Sequence, residues 1–384
     1  MEKMFKRSVL GTAVAAAAMM SMSANAYQIG ENNEFNVEVY GVAAISIVNY
    51  DAEEKTIATG AKEDKYTGYD YENESRIGFR AGKDMFDNVN IFMQVESGYV
   101  GEDGKGGTLG NRDTFVGVQG DWGKVRFGRM LTPMYEVIDW PYANPGLGAS
   151  WDWGGDVKFN RDRHGDMARY DSPNFSGFNF NVATGRGDKS VDGNNWYGAA
   201  AHYRVADMVT LHAAFESETD RKVKDGADAS WEICASDTGC TDGAGNSIST
   251  GDNYQTAAVD AQFADTFGYL VGFEASLPAG FGLAAAYKSG ESDVKGGDKS
   301  EQDSWVVIGQ YWNGPWGVKV GYTENLESKT AGVKQGDEDS IVSGQLMYVH
   351  NGFVPYLRLA QRDIKSEGKQ TETFVVRVGL EYGF

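Results

Sequence analysis

The sequence predicts an all-β fold: a 16-stranded antiparallel transmembrane β-barrel. Three observations carry this. Apolar and polar residues alternate with period two along most of the chain, apolar faces carry aromatics at both ends, and short turns trade places with long charged loops. Period-two alternation puts one set of side chains on each face of a strand. Aromatics bracketing an apolar face suit the two interfaces of a membrane.

Residues 1–26 read as an export leader. Lys3, Lys6 and Arg7 precede an alanine-rich apolar run, Val9 to Met20, and Ala24-Asn25-Ala26 supplies a small-x-small cleavage pattern. The run is far short of the roughly 20 residues that span a bilayer. The barrel is therefore expected over 27–384. Mean hydropathy is −0.44, so the exported chain is either a soluble secreted protein or a barrel whose alternation hides its apolar surface. Gly 50, aromatics at 12% and only 7 prolines favour strands joined by tight turns.

Formal net charge is −20 for the whole chain, and removing the leader, with three basic residues and Glu2, leaves about −22. A nucleic-acid partner needs a basic face, and none appears. The acid excess serves solubility or a cation-attracting field. Cys234 and Cys240 lie in a Gly/Asp/Ser-rich stretch and are expected to form a small-loop disulfide after export. No cofactor or metal site is expected, since no further Cys or His accompanies them.

The strands follow in order. Phe35 to Tyr50 alternates and gives way to a charged segment, Asp51 to Glu74, expected as a loop. Arg76 to Ala81, Ile91 to Glu96, Arg112 to Val118 and Val125 to Gly128 come next, then an irregular stretch. Met167 to Asn174 pairs with Phe178 to Thr184, and Trp196 to Val205 with Val209 to Glu218. A second irregular stretch, 219–267, carries the cysteines and is expected as a long extracellular loop. Tyr269 to Leu277, Leu283 to Lys288, Ser304 to Trp312 and Trp316 to Glu324 follow at regular spacing. Ile341 to His350, Phe353 to Arg362 and Thr373 to Phe384 finish the chain. The count is 16 if Tyr254 to Phe263, which also alternates, belongs to the loop. Sixteen strands leave an aqueous lumen.

The last strand is the most informative. Phe374, Val376, Val378, Leu380, Tyr382 and Phe384 share one parity, while Arg377, Gly379 and Glu381 share the other. A helix would need apolar residues at i, i+3 and i+4. The lumen parity is expected to tolerate polar change, including Gly379→Ser.

The stretch 129–166 breaks the alternation and holds three of the seven prolines. A structureless loop of this length is usually functional. It carries Glu136, Asp139, Asp152 and Asp156, and tryptophans Trp140, Trp151 and Trp153. An enzyme reading would need Asp152 and Asp156 as an acid/base pair, or one of His164, His202, His212 and His350. No nucleophile-elbow, zinc-hydrolase or phosphate-loop pattern supports it.

Taken together, these residues resemble the general trimeric porins of the Gram-negative outer membrane. The likeness rests on Val39-Tyr40-Gly41, Arg76-Ile77-Gly78-Phe79, Arg112 before Thr114-Phe115-Val116-Gly117, the run Gly120-x-x-Gly123-x-x-x-x-Gly128-Arg129, Arg169 to Phe175, and the terminal Phe384. The resemblance implies a homotrimer among outer-membrane lipids, a third loop inside the lumen, and recognition of Phe384 by the barrel assembly machinery. It also implies a constriction in which Arg76, Arg112 and Arg163 oppose Asp152 and Asp156. Val42 stands where the family often has lysine. The expected function is passive diffusion of ions and small hydrophilic solutes with a weak cation preference. A sugar-specific channel, with the loop tryptophans as a slide for sugar rings, is the alternative.

Overall fold

The computed structural model describes residues 27–28, 36–98, 108–143, 155–187, 190–226, 231–234, 240–241, 246–255 and 260–384. The leader 1–26, Asp152, Trp151 and Trp153 lie outside the described residues.

Sixteen wall strands among the described residues close on themselves. β1 is Asn36–Thr56; β2 has two stretches, Lys62–Asn73 and Arg76–Phe86. β3 to β9 are Val89–Gly98, Thr114–Gly120, Gly123–Leu131, Arg163–Asp171, Phe178–Arg186, Asn195–Val205 and Val209–Lys224. β10 to β13 are Gln262–Ser276, Phe281–Val294, Lys299–Asn313 and Trp316–Asn325. β14 to β16 are Glu338–Tyr348, Phe353–Ser366 and Lys369–Gly383. Each strand pairs antiparallel with the next, and β1 pairs with β16 from Val42↔Gly383 to Thr56↔Lys369.

Phe384 finishes this seam. Its N–H donates to the Gly41 carbonyl at 3.1 Å, and its own carbonyl accepts from Gly41 N–H at 3.0 Å. A Cβ on Gly41 would stand 2.6 Å from the Phe384 ring, so only glycine lets the ring lie flat there.

The charged segment 51–74 is not a loop. β1 runs on to Thr56 and β2 begins at Lys62, so only a tight turn separates them. Its backbone stays paired, and cross-strand ion pairs such as Lys62–Glu53 replace the apolar face. Alternation in sequence reports contact with lipid, whereas strand pairing needs only backbone hydrogen bonds. At Glu74 and Ser75 the two stretches of β2 keep one register against β1, and the Ser75 hydroxyl accepts the Ala44 N–H at 3.0 Å.

In the second irregular stretch, the wall takes Val209–Lys224 and Gln262–Ser276. Asn253–Gln255 pairs with Trp231–Ile233 outside the barrel sheet, so Tyr254 is not in the wall. Cys234 and Cys240 are joined by a disulfide.

The outer parity is apolar and exposed: in β16, Val378 is 56% exposed while its neighbour Arg377 is 3% exposed. Trp122, Phe178, Tyr203, Phe281, Trp316 and Phe353 mark the short-turn end of this face, and Tyr197, Phe267, Tyr269 and Phe374 the other. No helix among the described residues is long and apolar enough to cross a membrane; the crossing is made by strands. The inner parity is more tightly filled than alternation implied. A Cβ on Gly379 would lie 2.3 Å from the Tyr356 ring, so Gly379→Ser is not the harmless change expected.

Candidate pore constriction

The segment after β5 starts with a cap. The Thr132 hydroxyl accepts the Tyr135 N–H at 3.1 Å and donates to the Arg161 carbonyl at 2.9 Å, tying the two ends of the segment together. Proline at the first position suits the start of a helix, and the short helix α1, Pro133–Val137, follows. A wider turn, Ile138–Tyr142, continues it.

One side of this segment is apolar. Met134, Ile138 and Tyr142 are wholly buried, with Val157 and Phe159, against Ala200, Ala214, Leu270, Ala284, Ala286, Val306 and Ile308. These wall positions lie on the inner parity of β8 to β12. Small residues there make the room. Phe159 lies over Gly268 and Gly290, which face each other in register, and a Cβ on either would sit about 2 Å from its ring. Further on, the Val157 N–H donates to Gln302 Oε1 at 3.1 Å. At the far wall Lys319 Nζ donates to the Ala143 carbonyl at 2.6 Å, and Ala143 packs on Ile341 and Ala360.

The other side is charged. Desolvation raises the Asp139 carboxyl above its ordinary value, and the fields of Arg163, Arg76, Arg112 and Lys319 oppose that rise; the side chain itself is exposed, which weakens the first effect. The three arginines named from sequence thus act on one carboxyl, and two of them are held by neighbouring acids. Arg112 Nε meets Glu96 Oε1 at 2.5 Å, and Tyr40 donates to the second oxygen of Glu96 at 2.9 Å. Arg163 Nε meets Asp113 Oδ1 at 2.7 Å. Gly98 lets the Arg112 stem pass, since a Cβ there would stand 2.4 Å from Arg112 Cδ. Val42 is buried between Tyr40 and Ala44.

Asp156 is placed elsewhere. It stands with Asp337, Asp339 and Lys158 beside the turn between β13 and β14. Desolvation, and then the hydrogen-bonded carboxyl of Asp337, push the Asp156 carboxyl above its ordinary value. Because Asp156 is exposed, water screens the first effect and the neighbouring acid is what persists. Between Asp139 and Asp156, it is Asp139 whose carboxyl the three arginines influence. Asp139 was visible in sequence as one of four loop acids, but nothing in its flanks distinguished it. Lys319 could have been found from alternation alone, because Val318 and Val320 point the opposite way.

A second polar group ties down α1. Arg169 pairs with Glu136 and, at 2.7 Å, with Asp171, which also binds Arg126 at 2.8 Å. This cluster lines a cavity of about 950 Å³ at the short-turn end, walled by Asn88, Asp121, Asn181 and His202.

Comparison with known proteins agrees with this architecture. Residues 12–351 match the Gram-negative porin family. The chain is 50% identical to the chitoporin of Vibrio furnissii over 396 residues, covering 100% of both chains. Among solved structures, OmpT of Vibrio cholerae in its trimer form superposes with TM-score 0.61 at 15% identity, over 91% of this chain and 100% of that one. An anion-selective porin from Comamonas acidovorans gives TM-score 0.61 at 16% identity, again over 91% and 100%. At such identities the likeness is one of fold.

Proposed function

The chain belongs to the Gram-negative porins of the outer membrane, a family of channels and not of enzymes, and on that premise we propose a water-filled pore, narrowed by the 129–166 segment folded inside the barrel. Ions and small hydrophilic solutes diffuse through it passively. The observation that carries this reading is the two-sided segment: apolar residues dock it on the inner parity of β8 to β12, and Asp139 lies in the combined field of Arg163, Arg76 and Arg112. Opposed charges in a wet constriction orient dipolar solutes and set ion preference.

The preference is weakly for cations. A chain of about −22 after loss of the leader concentrates cations near the mouth. At physiological ionic strength the Debye length is about 8 Å, so distant loop acids are screened and Asp139 has the larger influence. The same fold serves an anion-selective relative, so the sign rests on these side chains. A homotrimer is supported by the trimeric form of a structural neighbour, and Phe384, at the barrel seam, is where assembly machinery would read the last strand.

A second reading has a specific observation behind it. Identity of 50% with a chitoporin across the whole length supports passage of chitin-type saccharides. Planar-bilayer recordings test both. Reversal potentials in a salt gradient are expected to show the cation preference, and an anion-favouring potential would overturn it. Chito-oligosaccharides that interrupt the current where maltose does not would establish the saccharide reading; equal, slight effects of both sugars would leave the general pore.

A further inference from the structure

The turn between β8 and β9 places His202 directly opposite His212 in the strand register. Both rings lie on the inner parity, since their neighbours Tyr203 and Leu211 are exposed on the outer one. The two Nδ1 atoms face each other at 2.8 Å, with ring planes at 75°. Such a pair holds one proton between two nitrogens, so a lone pair already points into the gap. His212 Nε2 is buried without a hydrogen-bond partner among the described residues, with Glu274 Oε1 3.8 Å away. His202 lines the cavity of about 950 Å³ at the short-turn mouth, which gives the gap a route to solvent. Neither imidazole has a part in the arginine–acid constriction.

We propose that His202 and His212 form a two-imidazole site for a late first-row divalent transition ion, of the zinc, nickel or copper class, filled from the short-turn mouth. Imidazole nitrogens bind zinc at about 2.0–2.1 Å, so two of them on a tetrahedral ion stand about 3.3 Å apart. The rings need to part by about half an ångström, and water from the cavity completes the coordination. Ligation through both Nδ1 atoms moves the shared proton, by way of solvent, to Nε2 of the ring that carried it, so both imidazoles bind as neutral ligands. Nitrogen donors favour such ions over magnesium or calcium, which take oxygen. Glu136 and Arg169, the charged groups acting on His202, are ion-paired with each other and largely cancel. Glu274 supplies the compensating negative charge on the His212 side.

An ion here also touches transport. Tyr142 packs edge-on against the His212 ring at 5.8 Å, so a bound ion steadies the contact between the docked segment and the wall. Its positive charge at the mouth also opposes cation entry.

The test is single-channel conductance of the full-length protein in dilute salt, with zinc chloride added to each side in turn. Zinc is expected to lower cation conductance reversibly, to be removed by a chelator, and to act at concentrations at least about tenfold below magnesium. Loss of an outer-shell partner already weakens metal sites by about 10–100-fold, so H202Q or H212Q should raise the half-saturating zinc concentration by about tenfold or more. The wild-type response should also weaken as pH falls, because protons compete with the ion for both nitrogens. Equal zinc effects in wild type and both variants, or equal effects of zinc and magnesium, would overturn the site. Paramagnetic resonance of wild-type protein with copper does not depend on the variants folding. Hyperfine splitting from two nitrogens is expected, and a spectrum of oxygen ligands alone refutes the proposal.

Discussion

The two halves of the barrel interior use the same parity of residues in opposite ways. Across β8 to β12 the inner positions shrink to Ala200, Ala214, Gly268, Ala284 and Gly290, and they receive Met134, Ile138, Tyr142 and Phe159. Across β2 and β3, in the bend before β4, and across β15 and β16 the interior carries charge: Arg76, Arg112, Arg358 and Arg377, with Glu96, Glu381 and Glu72. Burying an apolar side chain contributes about 1.5–3 kcal/mol, whereas in a largely buried ion pair desolvation offsets much of the attraction. The first half therefore anchors the segment, and the second keeps its charges for their field. Alternation marks the inner face of a strand without saying whether that face meets water or the same chain returning.

The largest expected effect is on the anchoring half. Phe159→Ala removes a buried ring from its glycine bed, a change that costs about 3–5 kcal/mol in packed cores. The docked segment should then become protease-sensitive and the conductance rise, while the barrel still migrates as a heat-modifiable species. Unchanged proteolysis would mean the segment is not held from that side.

Next is the outer parity, which the two halves share. Val378→Arg in the charged half and Val271→Arg in the anchoring half both put charge on an exposed apolar face. Each should cost about 2–4 kcal/mol near the bilayer midplane, measured by folding into lipid vesicles against denaturant. A penalty in only one half would show that the outer face is not uniform.

Selectivity should respond to the charged half more subtly. Asp139→Asn is expected to shift the reversal potential toward anions in dilute salt, and Asp156→Asn to shift it less, because Asp156 stands with Asp337 rather than with the arginines. The reverse ranking would return the constriction to the acids expected from sequence.

The smallest effect concerns Asp156 itself. A carboxyl raised by its neighbour holds its proton more tightly in the folded chain than in the unfolded one. Its contribution to stability is therefore present below the ordinary carboxylate range and lost as pH rises through the raised value. Asp337→Asn should return Asp156 toward ordinary titration, followed by carbon NMR of labelled aspartate. An unmoved titration curve would separate the two carboxyls.

Sequence by itself determined the wall: sixteen crossings, the outward face of each, and closure by the last strand. Lipid acts on every second residue locally, so the pattern is written into neighbours such as Arg377 and Val378 and can be read without a fold. Three arginines could be named only through the family resemblance, Arg76 and Arg112 from their flanking residues and Arg163 from its distance to Tyr170. Only the tertiary structure decided that 51–74 stays paired as strand, that Asp139 rather than Asp156 lies in the field of those arginines, and that His202 faces His212. These depend on backbone pairing that side-chain pattern does not encode, and on contacts across the barrel. Lys319 and Ala143, which hold the far end of the segment, are 176 residues apart, and only closure of the sheet brings them within a hydrogen bond.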